Sequence, residues 1–341
     1  MIDVSVVVIC YNEEKNIATC LDALLRQTYP VFRHEIIVVD GGSTDQTAAI
    51  TRSYTAAHSH VRLTSEPRIG TSFARNAGVA AARHPYIAFI DADCIAAPDW
   101  LERLVNHFTH HRDQDPSVVA VGGGNLPPPD SPPFVLAVGL TLDSYVGSFR
   151  STQGRRFATT RYVNSLANLN VMYEKVAITE VGGYDVSLGN VGEDADLNYR
   201  LSQRGWRFVW IADLPVLHRF RSTPLHWYRN MVRYGRGRAR LLIRHPELWS
   251  PTYGLPPLFL VGMASLLLIP WHPIFWIPGL YFPAMLMITL RICLRAGRTN
   301  LIGHVFLVLM VQHTGYALGE TWEWFYLKTG YWLRRLNGNG S

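Results

Sequence analysis

The chain has 341 residues and a net charge of +6, with 48% hydrophobic and only 17% charged residues. That length exceeds one compact core by the usual size scaling, and the charge deficit lies mostly in the C-terminal third. No nucleic-acid module accompanies the basic excess, which argues against a nucleic-acid partner. Cys10, Cys20, Cys94 and Cys293 have the spacing of neither a zinc site nor a redox motif, so buried, reduced thiols are expected.

Over the first 125 residues the pattern alternates strand and helix. Residues 4–9 read as a strand, 13–26 as a helix, 35–39 as a strand and 45–53 as a helix. Residues 61–64 read as a strand, 72–83 as an alanine-rich helix, and Tyr86-Ile87-Ala88-Phe89-Ile90 as a buried strand ending at Asp91. A helix is expected from Asp99 through Phe108 and a short strand over 118–121. Such alternation predicts a mainly parallel sheet covered by helices on both faces. Met1-Ile2-Asp3 has no basic n-region and the apolar run after it is too short to span a bilayer. The N-terminal domain is therefore expected to stay in the cytosol.

Five prolines between 125 and 133 break the pattern. The apolar stretch 134–149 reads either as a core helix or as one lying on a bilayer. Gly182-Gly183 leads to the acidic loop Gly192-Glu193-Asp194-Ala195-Asp196, followed by a helix over 194–203 and a strand over 207–211. Residues 254–290 contain no Asp, Glu, Lys or Arg. As helix they would extend roughly 55 Å, about twice the thinner estimates of a hydrocarbon core, which predicts a tight helical hairpin broken near Pro270-Trp271-His272-Pro273. A second uncharged run, 301–319, spans, re-enters or lies at the interface. Trp271, Trp276, Tyr281, Trp322, Trp324, Tyr326 and Trp332 cluster around these runs, as rings at headgroup level do. Arg291, Arg295 and Arg298 follow the hairpin and place its end on the cytosolic side by the positive-inside rule. Lys328, Arg334 and Arg335 favour a cytosolic C-terminus, which requires the second run not to cross. Between Leu214 and Pro246 eight arginines occur without an acidic residue, from Arg219 to Arg244. Such juxtamembrane arginines attract anionic headgroups by about 1 kcal/mol each.

In an open α/β sheet ligands bind beyond the carboxyl ends of the strands. Tyr11-Asn12-Glu13-Glu14, Asp40, the loop around Arg68 and Asp91-Ala92-Asp93 all fall at such ends. Asp40 suits a base N–H or a ribose hydroxyl, or caps a turn. Two carboxylates two residues apart at a strand end reach one hard divalent cation and a diphosphate that it carries. Asp93 is the direct contact, with Asp91 supporting it or binding ribose; two solvated carboxylates in a turn are the alternative. Arg75 either binds phosphate or pairs with a carboxylate inside the fold. Asp194 is the candidate general base for a hydroxyl nucleophile, its pKa raised by Glu193 and Asp196; the rival reading is a helix start decorated with acids for its dipole. His218 joins the metal or diphosphate, or is structural. Arg233, in Asn230-Met231-Val232-Arg233-Tyr234, holds diphosphate or faces lipid.

Taken together these residues resemble glycosyltransferase family 2 with its GT-A fold. The opening strand and loop through Tyr11-Asn12-Glu13-Glu14, then Val38-Val39-Asp40-Gly41-Gly42-Ser43-Thr44-Asp45, Ala74-Arg75-Asn76-Ala77-Gly78, Asp91-Ala92-Asp93, Gly182-Gly183-Tyr184-Asp185 and Gly192-Glu193-Asp194 follow in that family's order. The resemblance covers residues 3–220. It implies a GT-A (Rossmann-like), mainly parallel α/β sheet with C-terminal transmembrane or interfacial helices. The catalytic domain is then 1–220, its nucleotide-binding half 1–125 and its acceptor half 126–220. Basic interface helices would occupy 221–253, a membrane region 254–319 and an amphipathic tail 320–341.

The resemblance further implies a nucleotide-sugar donor, a UDP-sugar above all, held by Tyr11, Asn12, Glu13, Asp40, Arg68, Arg75, Asp91 and Ala92. A divalent ion, Mg2+ or Mn2+, would sit at Asp93, Asp91 and His218. Inverting displacement would use Asp194 and Glu193, with Arg233 and Tyr234 toward diphosphate or acceptor. Residues 221–335 resemble the membrane-anchored branch that builds bacterial exopolysaccharides of the succinoglycan type. That implies a polyprenyl-diphosphate-linked saccharide acceptor, membrane lipids and other polysaccharide-assembly proteins as partners, at the cytoplasmic face of the inner or plasma membrane. Transfer to a polyprenyl monophosphate, a processive synthase and a non-catalytic assembly subunit are the alternatives. Processive synthases carry Gln-x-x-Arg-Trp where this chain has Asn230 and Tyr234, which puts that one in doubt.

Overall fold

The computed structural model describes residues 1–148, 152–154, 157–188 and 190–337, with side chains as far as 329. Phe149 and residues 338–341, parts of the expected apolar stretch and tail, lie outside the described residues. The chain forms β1 (Val4–Cys10), α1 (Ile17–Leu25), β2 (His34–Asp40), α2 (Thr47–Ala57), β3 (Val61–Ser65), α3 (Thr71–Ala81), β4 (Tyr86–Asp91), β5 (Cys94–Ile95), α4 (Trp100–Gln114) and β6 (Val118–Leu126). Then come α5 (Pro133–Leu142), α6 (Tyr145–Ser148), β7 (Arg161–Val163), β8 (Asn170–Glu174), α7 (Lys175–Glu180), α8 (Glu193–Ser202) and β9 (Arg207–His218). The C-terminal part holds α9 (Pro224–Arg244), α10 (Leu255–Ser265), α11 (Tyr281–Arg295) and α12 (Ile302–Asn337). Two compact units result, one of Met1–Pro129 with Ser148–Arg219, the other of Asp130–Gly147 with Phe220–Ser341.

In the first unit a nine-stranded sheet runs in the order β3-β2-β1-β4-β8-β6-β9-β5, with β7 also on β9. Pairing is parallel from β3 to β4, as the alternation predicts. It then reverses, because β8 lies antiparallel between β4 and β6. Side chains alternate along a strand, so β1 sends Val4, Val6 and Val8 to one core, with Leu21 of α1 and Trp100 and Leu104 of α4. Its Val7 goes to the other core, with Val79 of α3 and Leu197 and Leu201 of α8. Burial on both faces explains the unbroken apolar runs. The register pairs Cys10 with Asp40, Ile9 with Asp91 and Asp40 with Ser65, so the carboxyl ends of four strands finish in one row.

The second unit contains three helical segments long and apolar enough to cross a membrane: Pro251–Leu268, Pro273–Arg295 and Thr299–Thr329. The first two are divided by a turn at the Pro270-Trp271-His272 break that the sequence predicts. Leu258, Val261, Leu267 and Ile277 stand exposed on them, an apolar surface that suits lipid rather than water. The ambiguous 134–149 stretch becomes α5, which packs on α12 and α11. The second uncharged run and the expected tail form one continuous helix, α12.

α9 lies against α12 at a glycine contact: a Cβ on Gly319 would come within 2.0 Å of the Val232 carbonyl, and one on Gly235 within 2.1 Å of the Tyr316 carbonyl. Only a residue without Cβ permits that approach. Tyr228 and Met231 meet Gly315, and Arg236 and Arg240 reach Glu323 at 2.6 and 2.7 Å, so the two helices run parallel. Glu323 is 1% exposed. Arg238 donates to the Tyr316 hydroxyl at 3.3 Å. The arginine run is thus divided: Arg236, Arg238 and Arg240 serve helix packing.

Candidate active site

The site grows from the row of strand ends. Asn12, in the left-handed region at φ 55°, accepts from the Thr44 amide at 2.8 Å, and its own amide donates to Ser43 Oγ at 2.9 Å. The Glu13 amide donates to Thr47 Oγ1 at 2.7 Å and the Glu14 amide to Asp45 at 3.1 Å. The two loops expected to hold the nucleotide are therefore stitched together by Asn12, Glu13 and their partners. Tyr11 stays exposed beside them, while Asp40 is buried and accepts from the Ser43 amide at 3.3 Å, the turn-capping bond. Arg68 is paired with Glu66 at 2.7 Å with its guanidinium over the Phe73 ring.

Arg75 takes the pairing alternative. From α3 its buried guanidinium forms an ion pair with Glu193 at the start of α8 and lies 3.5 Å from Asp91 at the end of β4. One side chain therefore joins the two acidic motifs. The rest of α3 fixes the approach to α8. The Asn76 amide bonds Tyr184 twice, donating to its carbonyl at 2.8 Å and accepting from its N–H at 2.8 Å. Gly183 has φ +75°, and a Cβ there would lie 2.7 Å from Asn76 Oδ1, so the turn needs glycine twice over. Arg200 pairs with Asp196 at 2.7 Å and caps the Gly183 carbonyl at 2.7 Å, which makes Asp196 a support for the loop.

Asp194, half-buried beside Glu193, has its carboxyl pushed up to about 6 by removal from water and by the Glu193 charge, against the pull of Arg75. Asn198 donates to the Asp194 carbonyl at 2.7 Å and accepts from the buried Tyr173 hydroxyl at 3.0 Å. Desolvation raises the Asp91 carboxyl too, with Arg75 opposing it.

Ala92 is buried between the two acids. Beyond it β5 pairs with the end of β9, setting Cys94 opposite His218. The Arg219 amide donates to the Asp93 carbonyl at 3.0 Å. His218 Nε2 then lies 3.4 Å from Asp93 Oδ2, with Asn125 Nδ2 against its Nδ1 at 2.8 Å. Asp93, Cys94 and His218 offer ligand atoms within 4.8 Å of one another. A carboxylate and an imidazole this close fit a divalent ion, whereas Asp91 is turned toward Arg75 and is not one of the grouped ligands. Sequence reasoning missed Asn76, Asn125 and Arg200. Only Asn76 had a signal, its place beside Arg75. Arg233 and Tyr234 lie on α9 in the other unit, where Arg233 donates to Asn230 Oδ1 at 2.7 Å.

Residues 5–162 match the model of glycosyl transferase family 2, and residues 86–294 that of glycosyl transferase family group 2. The chain is 30% identical to the succinoglycan biosynthesis protein ExoA of Rhizobium meliloti, over 70% of each. It is 29% identical to glycosyltransferase AglE of Haloferax volcanii, over 70% of this chain and 73% of that one. Among solved structures, the mannosyltransferase PcManGT from Pyrobaculum calidifontis, in complex with GDP-Man and Mn2+, superposes with a TM-score of 0.55. It is 20% identical and covers 92% of this chain and 89% of its own, a likeness of fold. With family models spanning most of the catalytic unit and a relative this similar, the chain belongs to glycosyltransferase family 2 and is a glycosyltransferase of GT-A fold.

Proposed function

We propose that the protein transfers a sugar, with inversion, from a nucleotide-sugar donor to an acceptor carried on a lipid at the cytoplasmic face of the cell membrane. The observation that carries this reading is Arg75 tying Asp91 and Glu193 together, which draws the diphosphate end and the acceptor end of the reaction into one place. The donor, a UDP-sugar in this reading, lies along the strand ends, with Tyr11 and Asp40 toward the nucleoside. Asp93 and His218 would hold a Mg2+ or Mn2+ ion, which supplies positive charge to the departing diphosphate. Asp194 accepts the proton of the acceptor hydroxyl as that oxygen attacks the anomeric carbon from the face opposite the leaving group. Its raised pKa, about 6, makes it a stronger base than an ordinary carboxylate while leaving it ionised at neutral pH. Glu193 is held in place by its contact with Arg75.

The resemblance to a succinoglycan biosynthesis protein and the apolar helices of the second unit support a polyprenyl-diphosphate-linked saccharide as acceptor. Asp194→Asn should lower transfer by about 10²–10⁴-fold, the usual contribution of a general base, with donor binding retained. Normal turnover in that variant would remove the mechanism. A product that is a sugar phosphodiester rather than a glycoside would instead identify a polyprenyl monophosphate as acceptor.

A further inference from the structure

The arginines of α9 fall into two sets. Arg236, Arg238 and Arg240 are bound to α12 through Glu323 and Tyr316. Arg229 and Arg233, with Arg221 just before the helix, line a cleft of about 290 Å³ together with His226 and Asn230. Among the described residues no carboxylate pairs with Arg221, Arg229 or Arg233. His226, Arg229, Asn230 and Arg233 follow the spacing of neighbours on one helical face, where like charges repel. One group of guanidinium ions is neutralised by a buried glutamate, and the second faces an open cleft whose charge suits an anion.

The direction of α9 says which anion. It runs parallel to α12, with its Arg236–Arg240 end beside Glu323 and its earlier turns beside Gly315. The cleft therefore lies toward the earlier, apolar half of α12, where His313 meets Tyr281 of α11. Leu225, next to His226 in the first turn of α9, stands 56% exposed. Cationic walls with an apolar neighbour match a phosphoryl group at the foot of a hydrocarbon chain. Guanidinium forks bind phosphate oxygens in pairs.

We propose that this cleft docks the phosphoryl group of the lipid-borne acceptor, an inference that rests on the lipid-acceptor reading above and assigns it a site. The test uses the full chain in phosphatidylcholine nanodiscs, with farnesyl diphosphate as probe and farnesol and UDP as comparison ligands. Arg221→Ala/Arg229→Ala should weaken farnesyl diphosphate binding at least about tenfold, the scale of a lost charge-assisted contact. UDP binding should be unchanged, which also reports an intact fold. Arg221→Lys/Arg229→Lys should recover part of the affinity, and Arg52→Ala/Arg204→Ala, an equal charge loss at exposed positions elsewhere, should have no effect. Farnesol should bind neither protein. Unaltered farnesyl diphosphate affinity in the double alanine variant would overturn the proposal. So would a parallel loss of UDP binding at an unchanged unfolding midpoint, which would give the cleft to the donor. Displacement of the probe by phosphatidylglycerol at equal concentration would overturn it too, in favour of bulk headgroups. If the unsubstituted protein turns over donor but binds no farnesyl diphosphate, the lipid-acceptor reading itself falls.

Discussion

Arg75 is the residue on which the site turns, because its guanidinium neutralises one acid from each motif. Removing one partner of a buried ion pair typically costs 3–5 kcal/mol, since the charge left behind is unpaired. Arg75→Met should accordingly lower the unfolding midpoint in detergent, and adding Glu193→Gln should restore part of the loss, a coupling that a double-mutant cycle measures. Asp194 gives the pH dependence. Its carboxyl, at about 6 in the fold against an ordinary 3.8, binds its proton more tightly folded than unfolded. This group thus favours the fold at acid pH and ceases to as pH rises through about 6. Transfer has the opposite slope: it should fall below pH 6 as the base is protonated, and Asp194→Asn should melt no lower than the parent at pH 7.5. Equal turnover at pH 5 and pH 7.5 would contradict that assignment. The strand-end acids were legible because an apolar run stopping at Asp91 marks where ligands sit. Pairing by Arg75 was one of its two sequence readings, but its partners were not legible, since they lie 118 and 16 residues away and a sequence shows charge without showing what it faces.

At the scale of elements, the parallel half of the sheet announced itself through alternating periods, whereas β5, β7 and β8 did not. β7 and β5 are 3 and 2 residues long. The 5-residue β8, Asn170–Glu174, takes its place between β4 and β6 through antiparallel partners that are distant in sequence. β9 likewise outruns its expected end: the strand continues to His218, and that added length is what brings the imidazole to Asp93. The arginine run misled in a similar way, because Glu323 comes more than eighty residues after Arg236. The α9–α12 contact is tight enough to test directly. Gly319→Leu has no room beside the Val232 carbonyl and should separate the helices, seen as a lower midpoint and easier proteolysis of α9. Glu323→Gln should destabilise less, since the amide keeps one hydrogen bond while losing the charge. Wild-type stability in Gly319→Leu would show that the two helices do not meet there.

For the molecule as a whole, the exposed apolar faces of α10 and α11 predict that the chain stays with membranes after alkaline carbonate washing. Charged substitutions at Leu258 and Val261 should release a measurable share, at a cost of roughly 2.5–3.5 kcal/mol for each charge placed at a helix centre. The chain passes from one unit to the other three times, at 129/130, 147/148 and 219/220. No single cut can therefore liberate the sheet. Cleavage after Arg219 would leave α5 attached to it with nothing to cover Phe134, Val135 and Val138, side chains that are buried in the intact chain. A water-soluble catalytic fragment requires two excisions, the second replacing Asp130–Gly147 with a short polar bridge. The insertion makes the enzyme a garment sewn to its lining at two places, and unpicking either seam alone would leave it clinging to the bilayer or to its neighbours.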